Sequence, residues 1–314
     1  MTCYFAKLDQ EALLHLQGPD ALTFLQGQVT CDTRSVTPAA ALPGTSCTAQ
    51  GRVVADFLLC APAADHAILR LRREVRAVLA ELLSRYIVFS KASVDPERDD
   101  WQVLACWGTG AADALHQIFG TLPQEQYGVC VADGYILVQI DTAGQQYECY
   151  LAHDAGKDPK PQFKELMEAG TEPQWQALQI ASGIARIEAA TSGEFIPQML
   201  NYDVTGHISF SKGCYTGQEV VARMHYRGKP KRRLYLASAS GKELTTRRPA
   251  AGDPLYSAGS AQPAGHVINA ATARSPDAEL LVTATLKGID EGLTLFDHNG
   301  PLLTTGPVPY PIPE

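Results

Sequence analysis

No stretch of this sequence approaches the roughly 20 consecutive apolar residues that a bilayer-spanning helix needs. Even the run Phe57–Leu71 is broken by Asp65, His66 and Arg70. Residues Met1 to Asp9 lack the basic start and apolar core of a signal peptide. These absences point to a cytoplasmic protein without a membrane partner. The cysteines are Cys3, Cys31, Cys47, Cys60, Cys106, Cys130, Cys149 and Cys214, and no two form a C-x-x-C pair. That spacing excludes a self-contained zinc or iron–sulfur ligand set, so no metal site is expected. The size of the chain and the apolar surroundings of most cysteines argue against a disulfide framework. Positive charge is also short, with 26 Lys+Arg against 34 Asp+Glu and a net charge of −8. That balance argues against a general nucleic-acid binder, although it leaves room for a local basic patch.

What is present is a 314-residue chain with 45% hydrophobic residues, enough for a large core. At usual domain sizes this implies two or three domains. Pro19 to Gly27 reads as a short helix, with Asp20 near its positive end, Leu22 and Leu25 inward, and Gly27 as its stop. Gly51 to Cys60 reads as a strand and Arg72 to Tyr86 as an amphipathic helix. Tyr86–Phe89 reads as a strand, Ala111–Phe119 as a helix and Tyr135–Ile140 as a strand. The polar segment Ala152–Pro161, with Gly156, reads as a return between domains. Helices are expected at 162–169 and 173–182, with Pro173 suited to a first turn. After Pro230, short β-prone runs at 233–237, 265–270 and 280–287 alternate with turn signals, the pattern of a small β-barrel or sandwich. The last residues carry four prolines and read as an extended tail.

The chemistry concentrates in Ser211-Lys212-Gly213-Cys214-Tyr215-Thr216-Gly217-Gln218-Glu219. Thr216 and Glu219 have capping-box spacing ahead of an apolar helical run. This puts Cys214 before a helix N-terminus with Lys212 two residues away, and both features favour a thiolate. Gly213 and Gly217 permit unusual backbone angles. The same pattern also suits a tight loop holding a buried cysteine that acts as a small hydrophobe. Arg223, Arg227, Lys229, Lys231, Arg232 and Arg233 follow, with no acidic residue between Val220 and Lys242. This island can receive carboxylates or phosphates, or can simply be a solvated helix end. His225 fits a surface or hydrogen-bonded residue better than a catalyst.

Lys212 to Glu219 closely resembles the signature of the YgfZ family, folate-binding proteins related to the aminomethyltransferase of the glycine cleavage system. The resemblance extends to Asp20–Asp32, Gly51–Phe57, Gly183–Ile187 and Phe195–Asn201, in order over about two-thirds of the chain. It implies an α+β, three-domain aminomethyltransferase-like fold around a central folate-binding opening, with a C-terminal β-barrel. The expected domains are 1–50 plus 152–229, an inserted 51–151, and 230–314. The implied function is that of an accessory protein for synthesis or repair of iron–sulfur enzymes, including those that modify tRNA. Tetrahydrofolate or a derivative is the implied cofactor. Folate and iron–sulfur client enzymes are the implied partners, with no direct nucleic-acid contact. The resemblance puts the functional thiol at Cys214, and Lys212, two residues away, is the candidate catalytic partner because its charge would favour the thiolate. Tyr215 and Tyr226 are candidate pterin walls, Arg223 and Arg227 candidate partners for the glutamate tail, and Gln218 and Glu219 further candidate ligand contacts.

One departure matters. The aminomethyltransferases carry Gly-Gly-x-x-Asp-Asp, with the first Asp essential; here Gly51-Arg52-Val53-Val54-Ala55-Asp56 places Ala55 there. An alanine holds no proton, and on a strand the neighbouring Asp56 points to the opposite face. A tetrahydrofolate-dependent one-carbon transferase and a pure protein-interaction module stand as the alternatives.

Overall fold

A computed structural model describes residues 2–153, 159–258, 260–274 and 277–313. The return expected around Gly156 lies outside them. Among the described residues the fold is mixed, with seven α-helices and many strands. The chain divides into two compact units: Met1–Thr45, Asp56–Trp175 and Ser211–Tyr215 form the first, and Ser46–Ala55, Gln176–Phe210 and Thr216–Glu314 the second.

The first unit is built on two sheets. One has six strands in the order Glu168–Ala169, Tyr4–Lys7, Trp101–Trp107, Gln146–Ala152, Tyr135–Gln139 and Val129–Ala132. The other runs Leu42–Cys47, Val53–Ala63, His66–Arg72, Glu11–Gln17, Ser93–Asp95, with Ser46, Cys47 and Val53–Ala55 of its first two strands counted in the second unit. Arg70 interrupts an apolar strand because its charge is matched inside the unit. Its guanidinium lies 2.8 Å from Glu148 and 3.6 Å from Glu11, while Arg72 lies 3.1 Å from Glu11. Burial opposes the charge on Arg70, but the Glu148 and Glu11 carboxylates outweigh it and hold its pKa above the ordinary value. A buried pair of this kind is costly to break from one side.

Most local expectations hold. Helices cover Ala21–Gln26, Arg73–Ser84, Ala111–Phe119, Lys160–Leu166 and Glu172–Ala181. Leu25 is buried as expected, with Ala21 and Phe24, whereas Leu22 is only half-buried. Tyr86–Phe89 is not a strand. Tyr86 N–H donates to the Leu83 carbonyl, prolonging the preceding helix, and Ile87–Phe89 forms a 3₁₀ turn. Val88 and Phe89 face water, Phe89 being 99% exposed, while Ile87 is half-buried.

The second unit contains a six-stranded antiparallel sheet ordered Leu293–Leu295, Pro254–Ser257, Gly265–Arg274, Asp277–Ala284, Arg233–Ala239, Thr304–Gly306. Its buried face is apolar and includes Leu255, Val267, Leu280, Val282 and Leu293. The expected closed barrel is instead an open half-barrel. Both edge strands are three residues long, and among the described residues they do not pair with each other. Among the described residues the isolated bridge Thr294 to Leu302 reaches back across the turn after Leu295, with Leu295 N–H donating to the Pro301 carbonyl and Leu303 N–H to the Leu293 carbonyl.

Candidate functional site

The signature segment begins in the first unit. Helix Ala21–Gln26 ends at Gly27, and the chain turns there so that the carbonyls of Gln26, Val29 and Cys31 converge on one point. Lys212 Nζ donates to three of them: Gln26 at 2.8 Å, Val29 at 2.6 Å and Cys31 at 2.8 Å. An ammonium has three protons, and all three are committed here. The Tyr215 ring covers the same ammonium, 5.2 Å from its centroid. Burial lowers the Lys212 pKa to about 8. Lys212 therefore anchors the segment, and its ammonium is not left over to stabilise a thiolate at Cys214.

The cradle is itself braced. Gln26 Oε1 accepts from Thr33 N–H at 2.8 Å, and its Nε2 donates to Asp32 at 3.0 Å. Arg34 grips Asp32 at two points, 2.8 and 2.7 Å, and holds that carboxyl well below the usual range. Burial pushes the Cys31 thiol up to about 12. The Asp20–Asp32 block is thus the seat for Lys212.

Cys214 is exposed, alone among the eight cysteines; Cys130 is half-buried and the other six are buried. The small-hydrophobe reading of Cys214 therefore does not fit.

In the second unit, helix Gln218–Arg227 starts after Gly217, whose φ of +85° is left-handed, and no side chain caps it. The expected Thr216–Glu219 capping box is absent, because the cap position falls one residue after Thr216. Gly217 is required there twice over. Its φ suits glycine, and an added Cβ would lie 2.4 Å from the Thr48 carbonyl oxygen. Gly51 packs against the same turn at φ +70°, where a Cβ would meet Val220 at 2.8 Å. Gly213 has neither constraint.

Other blocks of the resemblance also hold the frame. Gln198 donates to the Val221 carbonyl at 2.8 Å, and Asn201, at φ +57°, donates to the Leu234 carbonyl at 3.2 Å. Tyr202 donates to the Ala185 carbonyl at 2.8 Å. In the strand Val53–Ala63, Ala55 is fully buried, and Asp56 is buried with an interaction of its own.

Glu219, Arg223, Tyr226 and Arg227 are exposed on the one helix, with Gln218 half-buried at its start. Tyr226, expected as a pocket wall, is 68% exposed. Past the helix, the basic island borders a cleft of about 410 Å³ whose lining includes Asp203, His225, Lys229, Lys231, Arg232 and Arg233. The sequence did not reveal this cleft or the partners of Lys212; the hint of the cleft was a stretch of cations with no acidic residue among them.

The comparisons fit this frame. No family model matches the chain. The chain is 32% identical over 312 residues to the tRNA-modifying protein YgfZ of Pectobacterium atrosepticum, covering 98% of this chain and 91% of that protein. The chain belongs to the YgfZ family. A second YgfZ relative, from Escherichia coli O157:H7, is 35% identical over 248 residues, 79% of this chain and 74% of that protein. The fold is similar to that of the glycine cleavage system aminomethyltransferase T from Bartonella henselae. The TM-score is 0.76 at 13% identity, over 98% of this chain and 85% of that one. No helix among the described residues is long and apolar enough to cross a membrane.

Proposed function

We propose that this YgfZ-family chain is a tetrahydrofolate-binding accessory protein. It supports synthesis or repair of iron–sulfur enzymes, including ones that modify tRNA, with Cys214 as its functional thiol. The observation that carries this reading is the exposure of Cys214 on a segment pinned by Lys212, while every other cysteine is at least half-buried. The name of the relatives supports the link to tRNA modification, and the aminomethyltransferase-like fold supports a folate ligand.

The donor chemistry of the helix suits such a ligand. Arg223 and Arg227 are exposed, without an ion pair among the described residues, and would hold the carboxylates of a glutamate tail. When bound, tetrahydrofolate would supply one-carbon or redox chemistry of its own. This chain offers Cys214 beside it in role, and one thiolate cannot complete a four-thiolate cluster without ligands from a client. Aminomethyl transfer is disfavoured because Ala55 holds no proton and Asp56 is buried and already engaged.

Calorimetry with tetrahydrofolate should show saturable binding. Arg227→Ala should weaken a polyglutamylated ligand more than the monoglutamate. Cys214→Ser should bind folate normally yet fail to restore iron–sulfur-dependent tRNA modification in cells lacking the protein. Undetectable folate binding together with full complementation by Cys214→Ser would leave the interaction-module alternative standing.

A further inference from the structure

The net charge of −8 hides a face of the second unit with the opposite character. Among the described residues, Arg223, Arg227, Lys229 and Lys231 are exposed and form no ion pair. The neighbouring cations are used differently. Arg232 donates to the Pro263 carbonyl at 2.9 Å. Arg233 pairs with Asp203 at 2.7 Å and donates to the Gln198 carbonyl at 2.9 Å. Those bonds fix the inner wall of the 410 Å³ cleft and leave Lys229 and Lys231 free at its rim.

Aromatic surface adjoins the same cleft. Phe210 and His225 stack with centroids 3.7 Å apart and planes 14° from parallel. Tyr226 stands edge-on to both, 6.4 Å from Phe210 and 4.7 Å from His225. The stack fixes His225, which lines the cleft together with the two lysines. The Tyr226 ring is left largely to water.

Planar rings beside unpaired cations suit a ligand that is both planar and polyanionic. Unpaired bases stack on aromatic faces while their phosphates pair with Lys and Arg. A duplex hides its base faces, and an acidic peptide would use the cations but not the ring. We infer that this face binds a single-stranded nucleic acid, with a base on Tyr226 and phosphates on Lys229 and Lys231. The overall acidity that argues against general nucleic-acid binding restricts the contact to this face. The inference goes beyond the folate reading and does not depend on it.

The test is fluorescence anisotropy on the full-length protein. The probes are labelled oligouridylate and oligothymidylate of about 12 nucleotides, within the footprint range of such sites, and an RNA duplex of equal length. Salt is varied from about 50 to about 200 mM. The expected result is saturable binding of a single strand, with the duplex weaker by about tenfold or more. A ribose or deoxyribose preference then names the strand type. Lys229→Gln combined with Lys231→Gln should flatten the slope of log K against log salt by about 1.4, or 0.7 per lost contact. Tyr226→Ala should weaken binding about 5- to 150-fold with the slope unchanged. Absence of saturable strand binding at the lowest salt, equal affinity for the duplex, or an inert Tyr226→Ala would each overturn the inference.

Discussion

The Lys212 ammonium donates to the Val29 carbonyl over 2.6 Å, joining two segments 183 residues apart in the chain. With the Gln26 and Cys31 carbonyls it closes a site that leaves no proton of the ammonium unused. Removing the ammonium leaves three acceptors short of a donor at once. Lys212→Met should therefore cost about 3 kcal/mol, since each bond to a charged donor contributes about 1.5–3 kcal/mol and the three are not additive. Lys212→Arg should not restore the loss, because a flat guanidinium does not present three protons around one point. Urea unfolding measures both, and a Lys212→Met variant as stable as the parent would refute the anchoring role.

The two glycines of the signature should behave differently. Gly217→Ala forces a Cβ into left-handed backbone and to within 2.4 Å of the Thr48 carbonyl oxygen. The cost should be about 2 kcal/mol or more. Gly213→Ala meets nothing within 4 Å and has no positive φ, so its Tm should match that of the parent. Equal Tm shifts for the two variants would contradict the geometry.

These positions show which parts of the protein the sequence revealed. Helix and strand periods were readable wherever one face is buried, as in Arg73–Ser84, where Val75, Leu79 and Leu83 point inward. Tyr86–Phe89 misled because none of its β-prone side chains is fully buried. A hydrogen bond to the helix before it, which leaves no mark in the sequence, decides its shape. Thr216 and Glu219 had the right spacing for a cap, but the left-handed turn at Gly217 takes the cap position. The signature drew attention to Lys212 beside Cys214. Only the fold shows that the lysine faces carbonyls some 180 residues earlier rather than the thiol.

His15 makes stability depend on pH. It is buried, its Nδ1 lies 2.9 Å from His66 Nε2, and its pKa is lowered to about 3, by burial first and then by the charge of His66. The unfolded chain takes up this proton near pH 6.5, whereas the folded chain does so only near 3. Between those values the unfolded state binds more protons, so stability is intact above about pH 6.5 and falls as the pH drops. The slope from this group should approach about 1.4 kcal/mol per pH unit. Denaturant unfolding between about pH 4 and pH 6, within that window, should show the slope. His15→Leu should flatten it, and an unchanged slope in that variant would assign the effect to other groups.

Thiol accessibility separates Cys214 from the other seven cysteines. Burial pushes Cys31 and Cys60 up to about 12 and raises Cys3, Cys106, Cys130 and Cys149 above their ordinary value. Those six are poor nucleophiles at neutral pH because little thiolate forms. Cys47 is buried, which withholds it from a reagent in solution. Brief treatment of the native protein with iodoacetamide, followed by peptide mass spectrometry, should therefore modify Cys214 first. Labelling of the others should appear at least about tenfold more slowly, and only as the fold opens. In Cys214→Ser the fast phase should vanish while Tm stays unchanged, since an exposed side chain carries little of the fold. A buried cysteine that labels as quickly as Cys214 would remove the physical basis for assigning the functional thiol to this position.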